Sequence, residues 1–246
     1  MLEALDAVAV RRWCARGLAA LAARREEIDA MNVYPVPDGD TGTNLVLTFQ
    51  SVLEALDAAP DADGPGLPDT MKALAHGALM GARGNSGVIL SQFLRGLADV
   101  LGPLPLARGR ELAEAFGRAA RAAWAAVADP VEGTVLTVAR AAAEAARAAG
   151  SDELAAVVRA AGAGATEALR RTPEQLPVLA RAGVVDAGGY GLSVLLDALV
   201  TVVSGDPPAA GPRPDLVVPR ERSALDVARE AGSDSYAYEV QYLLAA

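Results

Sequence analysis

The chain is 246 residues long, 52% hydrophobic, and carries a net charge of -9 at neutral pH. That length suits one large domain with an appendage, and the apolar content supplies a sizeable core. The acidic balance excludes a nucleic-acid partner or an anionic membrane surface, since both require clustered positive charge.

Rare residues exclude more. Cys14 is the only cysteine, so no internal disulfide can form and a reducing, cytoplasmic compartment is expected. Its apolar neighbours mark it as a small buried hydrophobe. His76 is the only histidine, which removes histidine-rich metal sites, and its place four residues after Lys72 reads as a solvated helix flank. No lysine follows the second glycine of a P-loop motif, so that class of NTPase is excluded. The first residues lack the basic and apolar regions of a signal peptide. The longest apolar stretch, 184–204, contains Asp186, Asp197 and glycines, and reads as a buried helix with its preceding loop rather than a membrane span.

In chain order, Val8, Val10, Trp13, Cys14, Leu18 and Leu21 recur at helical spacing and predict a first helix running towards residue 31. Residues 32–44, rich in Pro, Gly and Asp, break it. Residues 45–58 read as helical, 60–68 as a polar loop, and Asp69 as the cap of a helix through Met71, Leu74 and Ala78. Residues 81–87 break the pattern and 88–101 resume it. Helices are then predicted at 110–127, 134–149, 153–171 and 191–203, with breaks at 129–133, Thr172-Pro173 and 183–189. The expectation is one all-α domain of about eight helices over residues 1–203. Beyond it, 204–235 is proline-rich and reads as a linker. Residues 236–246 include an alternating aromatic and apolar run that reads as a strand opening a truncated second domain.

Three glycine-rich breaks precede apolar helices. In Asp38-Gly39-Asp40-Thr41-Gly42-Thr43-Asn44, two carboxylates one residue apart can converge on a hard cation such as magnesium, whose other positions go to phosphate and water. The same residues are good turn formers, so turn and metal site both fit. The calcium-loop pattern fails, because Gly42 and Phe49 stand where its ligands belong. In Gly81-Ala82-Arg83-Gly84-Asn85-Ser86-Gly87, backbone N–H groups can approach a phosphate and Ser86 can cap the next helix; taken alone the segment reads first as a plain capped connection. In Val184-Val185-Asp186-Ala187-Gly188-Gly189, Asp186 can accept from a ribose or an adenine amine, or serve only as an N-cap. Thr134 is a cap or a phosphate contact. Three such breaks suggest loops gathered at the end of a helical bundle, where binding sites form.

The run from Asn32 to Asn44, the 81–87 segment followed by Val88-Ile89-Leu90-Ser91-Gln92, and the 183–191 segment occur in an order that resembles the nucleotide-binding domain of bacterial fatty acid kinase. That domain is itself similar to the ADP-binding L subunit of dihydroxyacetone kinase. The resemblance covers about residues 1–203 and implies an antiparallel eight-helix barrel whose loops at one end hold ATP or ADP and two magnesium ions. It implies that Asp38 and Asp40 are catalytic metal-binding aspartates, with Asn32 as the third metal ligand in place of the family's upstream aspartate. It further implies that Thr41, Thr43, Asn44, Gly84, Asn85, Ser86 and Gly87 contact nucleotide or phosphate, and that Thr134, Asp186 and Gly188 surround the rest of the nucleotide. The implied reaction is phosphoryl transfer from ATP to a fatty acid carboxylate presented by a lipid-binding partner protein. A homodimer and a dependence on further domains are also implied. A dihydroxyacetone-type kinase subunit and a non-catalytic nucleotide-binding module are the alternatives.

Overall fold

A computed structural model describes residues 1–59 and 66–205. Among them are ten helices and no strand, as an all-α reading requires: α1 Ala7–Ala23, α2 Arg25–Ala30, α3 Thr41–Ala58, α4 Leu67–Met80, α5 Gly84–Leu101, α6 Gly109–Ala125, α7 Val135–Ala148, α8 Leu154–Gln175, α9 Pro177–Ala182 and α10 Ala187–Ser204. The strand predicted near the C-terminus and nearly all of the expected linker lie outside the described residues.

Seven of the long helices bury one stripe of side chains and α10 is buried on nearly every side; the eight close into a ring. Contacts run α1–α3–α4–α5–α6–α7–α8–α10 and back to α1, while short α2 and α9 sit in the connections. Phe49, Leu74, Leu94, Phe116, Leu169 and Leu195 are among the side chains buried inside it; a fully buried Leu or Phe contributes about 1.5–3 kcal/mol relative to exposure. The inner stripes of α6 and α7 are largely alanine, including Ala115, Ala119, Ala139, Ala142 and Ala146, so those helices pack closely. Trp13 of α1 donates its indole N–H to the Leu195 carbonyl at 2.9 Å and meets Phe49 edge-on, with ring centroids 6.3 Å apart. Helix α10 is long and apolar enough to cross a membrane, yet 78% of it is buried within the barrel.

The extended N-terminal residues tie the ring at one end. The Leu2 N–H donates to the Val203 carbonyl, and Leu5 and Ala107 exchange both backbone hydrogen bonds. At this end the α7–α8 connection also meets the start of α6, through Gly109 N–H and the Asp152 carbonyl at 3.0 Å.

Several element boundaries differ from the sequence expectation. The first helix is two, because the backbone turns at Arg24 (φ -114°, ψ 8°) and α2 then buries Ile28. Helix α3 begins at Thr41, four residues before the apolar run that announced it. Gly66, not Asp69, caps α4, and Asp69 lies in its first turn. Likewise Arg83 caps α5, so Ser86 sits inside the first turn rather than at its cap. The expected break at Thr172-Pro173 is absent. Pro173 has no N–H to give the Leu169 carbonyl, but the Thr172 hydroxyl donates to that carbonyl at 2.7 Å, and α8 continues to Gln175.

Candidate functional site

At the end of the barrel away from the N-terminal tie, the connections before α3, α5, α7 and α10 surround one cleft of about 290 Å³. The N-termini of four long helices therefore share one cavity. Each carries a partial positive charge of roughly half a proton; at α7 the first N–H groups are already taken, Val135 by Asp186, Leu136 by the Thr134 hydroxyl and Thr137 by the Thr134 carbonyl. In the order of the ring, α3 and α7 lie opposite one another, with α5 and α10 between them.

The α3 wall carries the carboxylates. Asp40 occupies the N-cap position of α3 (φ -124°, ψ 2°), but its side chain makes no cap hydrogen bond. That task falls to Asp29 of α2, whose carboxylate accepts from the Thr43 N–H and the Thr43 hydroxyl, both at 2.9 Å. A Cβ at Gly42 would stand 2.3 Å from the Arg25 carbonyl, so glycine is what lets α2 seat against the first turn of α3. Asn32 is buried behind the loop. Its amide nitrogen donates to the Val36 carbonyl at 2.7 Å and to Asp38 Oδ1 at 2.9 Å, while its amide oxygen accepts from the Thr41 hydroxyl. The peptide bond between Tyr34 and Pro35 is cis.

The α5 wall is stitched to α3. The Thr48 hydroxyl donates to the Asn44 carbonyl at 2.7 Å and accepts from the Arg83 N–H at 3.1 Å. Gly84 opens α5 at φ +57°, and a Cβ there would lie 2.3 Å from Asn44 Nδ2. Only glycine permits both the backbone angle and this approach of α5 to α3.

On the α7 side, Thr134 is the N-cap. Its hydroxyl donates to the Val131 carbonyl at 2.8 Å and accepts from the Leu136 N–H at 3.4 Å. Ala126, Val127, Val131, Val135 and Leu136 make this wall apolar, with Asp129 at the rim. At α10, the buried Asp186 is the N-cap: Oδ2 accepts from the Gly189 N–H at 2.6 Å, and its own N–H donates to the Thr172 hydroxyl at 3.1 Å. Burial pushes the Asp186 carboxyl up to about 6, against the opposing pull of the Gly189 and Val135 backbone N–H groups.

Of the residues expected at the site, Asn32, Asp38, Asp40, Thr41, Asn44, Gly84, Asn85, Ser86, Thr134, Asp186 and Gly188 all line this cleft. Thr43 does not; it turns onto Asp29. Gly87 does not either, and instead makes room for Thr48, since a Cβ there would stand 2.5 Å from its hydroxyl oxygen. Asn32 is present in another role: both ends of its amide are engaged by the loop. Among the described residues no group of three or more His, Cys, Asp or Glu side chains is placed to hold a metal ion. Outside the cleft, His76 and Lys72 are exposed, and burial pushes the Cys14 thiol up to about 12, where it is inert.

Sequence reasoning missed Asp29, because its partner lies fourteen residues away across a loop. It also passed over the apolar wall of residues 126–131, reading its first two residues as the end of a helix that stops at Ala125 and the rest as a break.

The fold and cleft define a closed eight-helix barrel that presents the Asp38–Asp40 pair and four helix N-termini at one end. The chain belongs to the DAK2 domain family, whose model matches residues 35–201. It is 38% identical over 208 residues to an uncharacterized protein of Staphylococcus saprophyticus, covering 84% of this chain and 37% of that one. It is 40% identical over 207 residues to protein YloV of Bacillus subtilis, covering 83% and 37% respectively. The chain thus spans little more than a third of the length of these relatives. Among solved structures it resembles the dihydroxyacetone kinase of C. freundii, crystallised with AMP-PNP and Mg2+. The TM-score is 0.58 at 20% identity, covering 78% of this chain and 33% of that one. That likeness establishes the shared barrel fold.

Proposed function

We propose that the cleft binds ATP and ADP with magnesium and that the domain is the nucleotide-binding part of a cytoplasmic kinase whose acceptor is a fatty acid carboxylate. The observation that carries this reading is the convergence of four helix N-termini with Asp38 and Asp40 on one cavity. N–H donors and helix dipoles suit phosphate oxygens, and two carboxylates suit the cation that accompanies them. The solved kinase with the same barrel fold, crystallised with AMP-PNP and Mg2+, supports the nucleotide part of this reading.

The residues present fit magnesium. Asp40 is spared from capping its own helix, and Asp38 is oriented by the Asn32 amide. With two carboxylates, a bound ion would take its remaining ligands from phosphate and water. Asp38 and Asp40 would hold the metal, which would supply charge neutralisation on the phosphates. Asn32 orients Asp38 rather than acting as a third ligand. The N-terminal turn of α5, with Asn85 and Ser86, faces the phosphates. The apolar α7 wall packs against the base. Phosphoryl transfer needs positioning and charge stabilisation more than a strong base, and no histidine or lysine lines the cleft. In the reaction the bond from the γ-phosphorus to the β–γ bridging oxygen breaks, and a carboxylate oxygen forms the new bond, giving ADP and an acyl phosphate. A lipid-binding partner presents the acyl chain, and further domains complete the enzyme.

Calorimetry of ADP binding with and without magnesium tests the site. Wild-type protein is expected to bind only with the metal, and Asp38→Ala/Asp40→Ala protein not at all; equal binding by both would refute it. Trapping of an acyl phosphate with hydroxylamine, in the presence of ATP and a lipid-loaded partner, tests the acceptor.

A further inference from the structure

Glu132 lies in the connection between α6 and α7, two residues before the cap of α7, and Arg140 lies in the second turn of that helix. The Arg140 Nη1 and Nη2 groups donate to Glu132 Oε1 and Oε2 at 2.7 and 2.8 Å, a two-pronged match of guanidinium and carboxylate. The Thr137 hydroxyl donates to Glu132 Oε2 at 2.5 Å and accepts from the Gly133 N–H at 2.9 Å. The Arg140 guanidinium also stands 5.3 Å from the Trp124 ring centroid, reaching back to the end of α6. Arg140 thus bridges both ends of the connection. Gly133 adopts φ +81°, and a Cβ there would meet Leu176 and Gln175 at 2.9 and 3.0 Å. The connection is pinned from outside by Arg140 and from beneath by α8, while its inner side, with Val127 and Val131, lines the cleft.

We propose that Arg140 is a positioning residue for nucleotide binding: through Glu132 and Trp124 it holds the 126–134 connection as the wall against which the base packs. The proposal rests on the nucleotide reading of the cleft and adds to it a determinant outside the cleft. None of the residues lining the cavity is Arg140, Glu132 or Trp124. The Arg140 and Glu132 side chains are 44% and 46% exposed, so the pair adds little to global stability. Its consequence is local, in how often the wall stands in its competent place. Lysine cannot replace it, since one ammonium does not span both carboxylate oxygens and stacks less well on an indole.

The test measures binding of magnesium-ADP and of magnesium-pyrophosphate, which has phosphates but no base, to the full chain by calorimetry. The proteins are wild type, Arg140→Ala, Arg140→Lys and Arg118→Ala, the last breaking a comparable exposed pair with Asp99 on the far face of α6. A wall competent a tenth of the time lowers affinity about tenfold, and that loss of ADP affinity is expected for both Arg140 variants, with Arg118→Ala at the wild-type value. Pyrophosphate affinity is expected to be the same in all four proteins. Unchanged ADP affinity in Arg140→Ala would overturn the proposal, as would equal weakening of both ligands, which marks a general loss of structure. Failure of wild-type protein to bind ADP would instead bring down the nucleotide reading itself.

Discussion

The Asn32 amide donates to Asp38 Oδ1 at 2.9 Å and accepts from the Thr41 hydroxyl, so one buried side chain sets the position of a carboxylate and of the first residue of α3. Asn32→Ala is expected to remove one hydrogen bond from Asp38 and to leave the buried Thr41 hydroxyl without its acceptor. A lost buried partner costs about 1–3 kcal/mol, which thermal unfolding reads directly. Magnesium-dependent ADP affinity falls with it, because the carboxylate loses the amide that helps orient it.

Gly84→Ala addresses the seam between α3 and α5. The substitution imposes a Cβ on a backbone at φ +57° and places it 2.3 Å from Asn44 Nδ2. The left-handed angle alone costs roughly 1–2 kcal/mol, and Asn44 must also leave its place at the cleft. Lower stability together with weakened binding of magnesium-pyrophosphate is expected. The second readout separates damage at the phosphate end from damage at the apolar wall.

Thr172→Val keeps the shape of the side chain and removes its hydroxyl. That hydroxyl serves the Leu169 carbonyl left open by Pro173 and accepts from the Asp186 N–H. Two buried backbone groups lose their partners, so destabilisation of about 2–5 kcal/mol is expected. Amide hydrogen exchange should rise at the α8 C-terminal turn and at Asp186. Protection unchanged at both places would refute the link between the two helices.

Asp186→Asn tests the buried carboxyl. Asparagine still accepts from the Gly189 N–H but carries no charge. Burial raises the wild-type group from 3.8 to about 6, so between those values the folded state binds more protons than the unfolded one. Wild-type stability relative to the variant therefore rises as pH falls from about 7 through 6 towards 4, by at most ~1.4 kcal/mol per pH unit. Urea unfolding of both proteins across that range measures the difference, and the opposite slope would refute the assignment. Taking the difference cancels Asp197, whose carboxyl burial also pushes up to about 6.

The helices were legible because apolar residues recur at helical spacing, and the Asp38–Asp40 pair because glycine and proline mark a loop carrying two carboxylates, a pattern that fits a turn as well as a metal site. Thr43 shows where that legibility stops: it stands inside the motif, yet its backbone and hydroxyl both answer to Asp29, fourteen residues upstream. Pro173 shows the same limit in the fold, since the rule that proline breaks a helix yields to a neighbouring hydroxyl.

By itself the sequence determined the all-α class, the order of the helices and the three segments rich in glycine, all of which follow from local spacing and backbone freedom. Only the tertiary structure decided that these segments meet. Closure of eight helices into a ring brings four N-termini to one end, turns Asn32 into the support of Asp38, and sets an arginine and a glutamate outside the cleft to hold its apolar wall. Those relationships depend on which helix packs beside which, and packing is settled by side chains far apart in the chain.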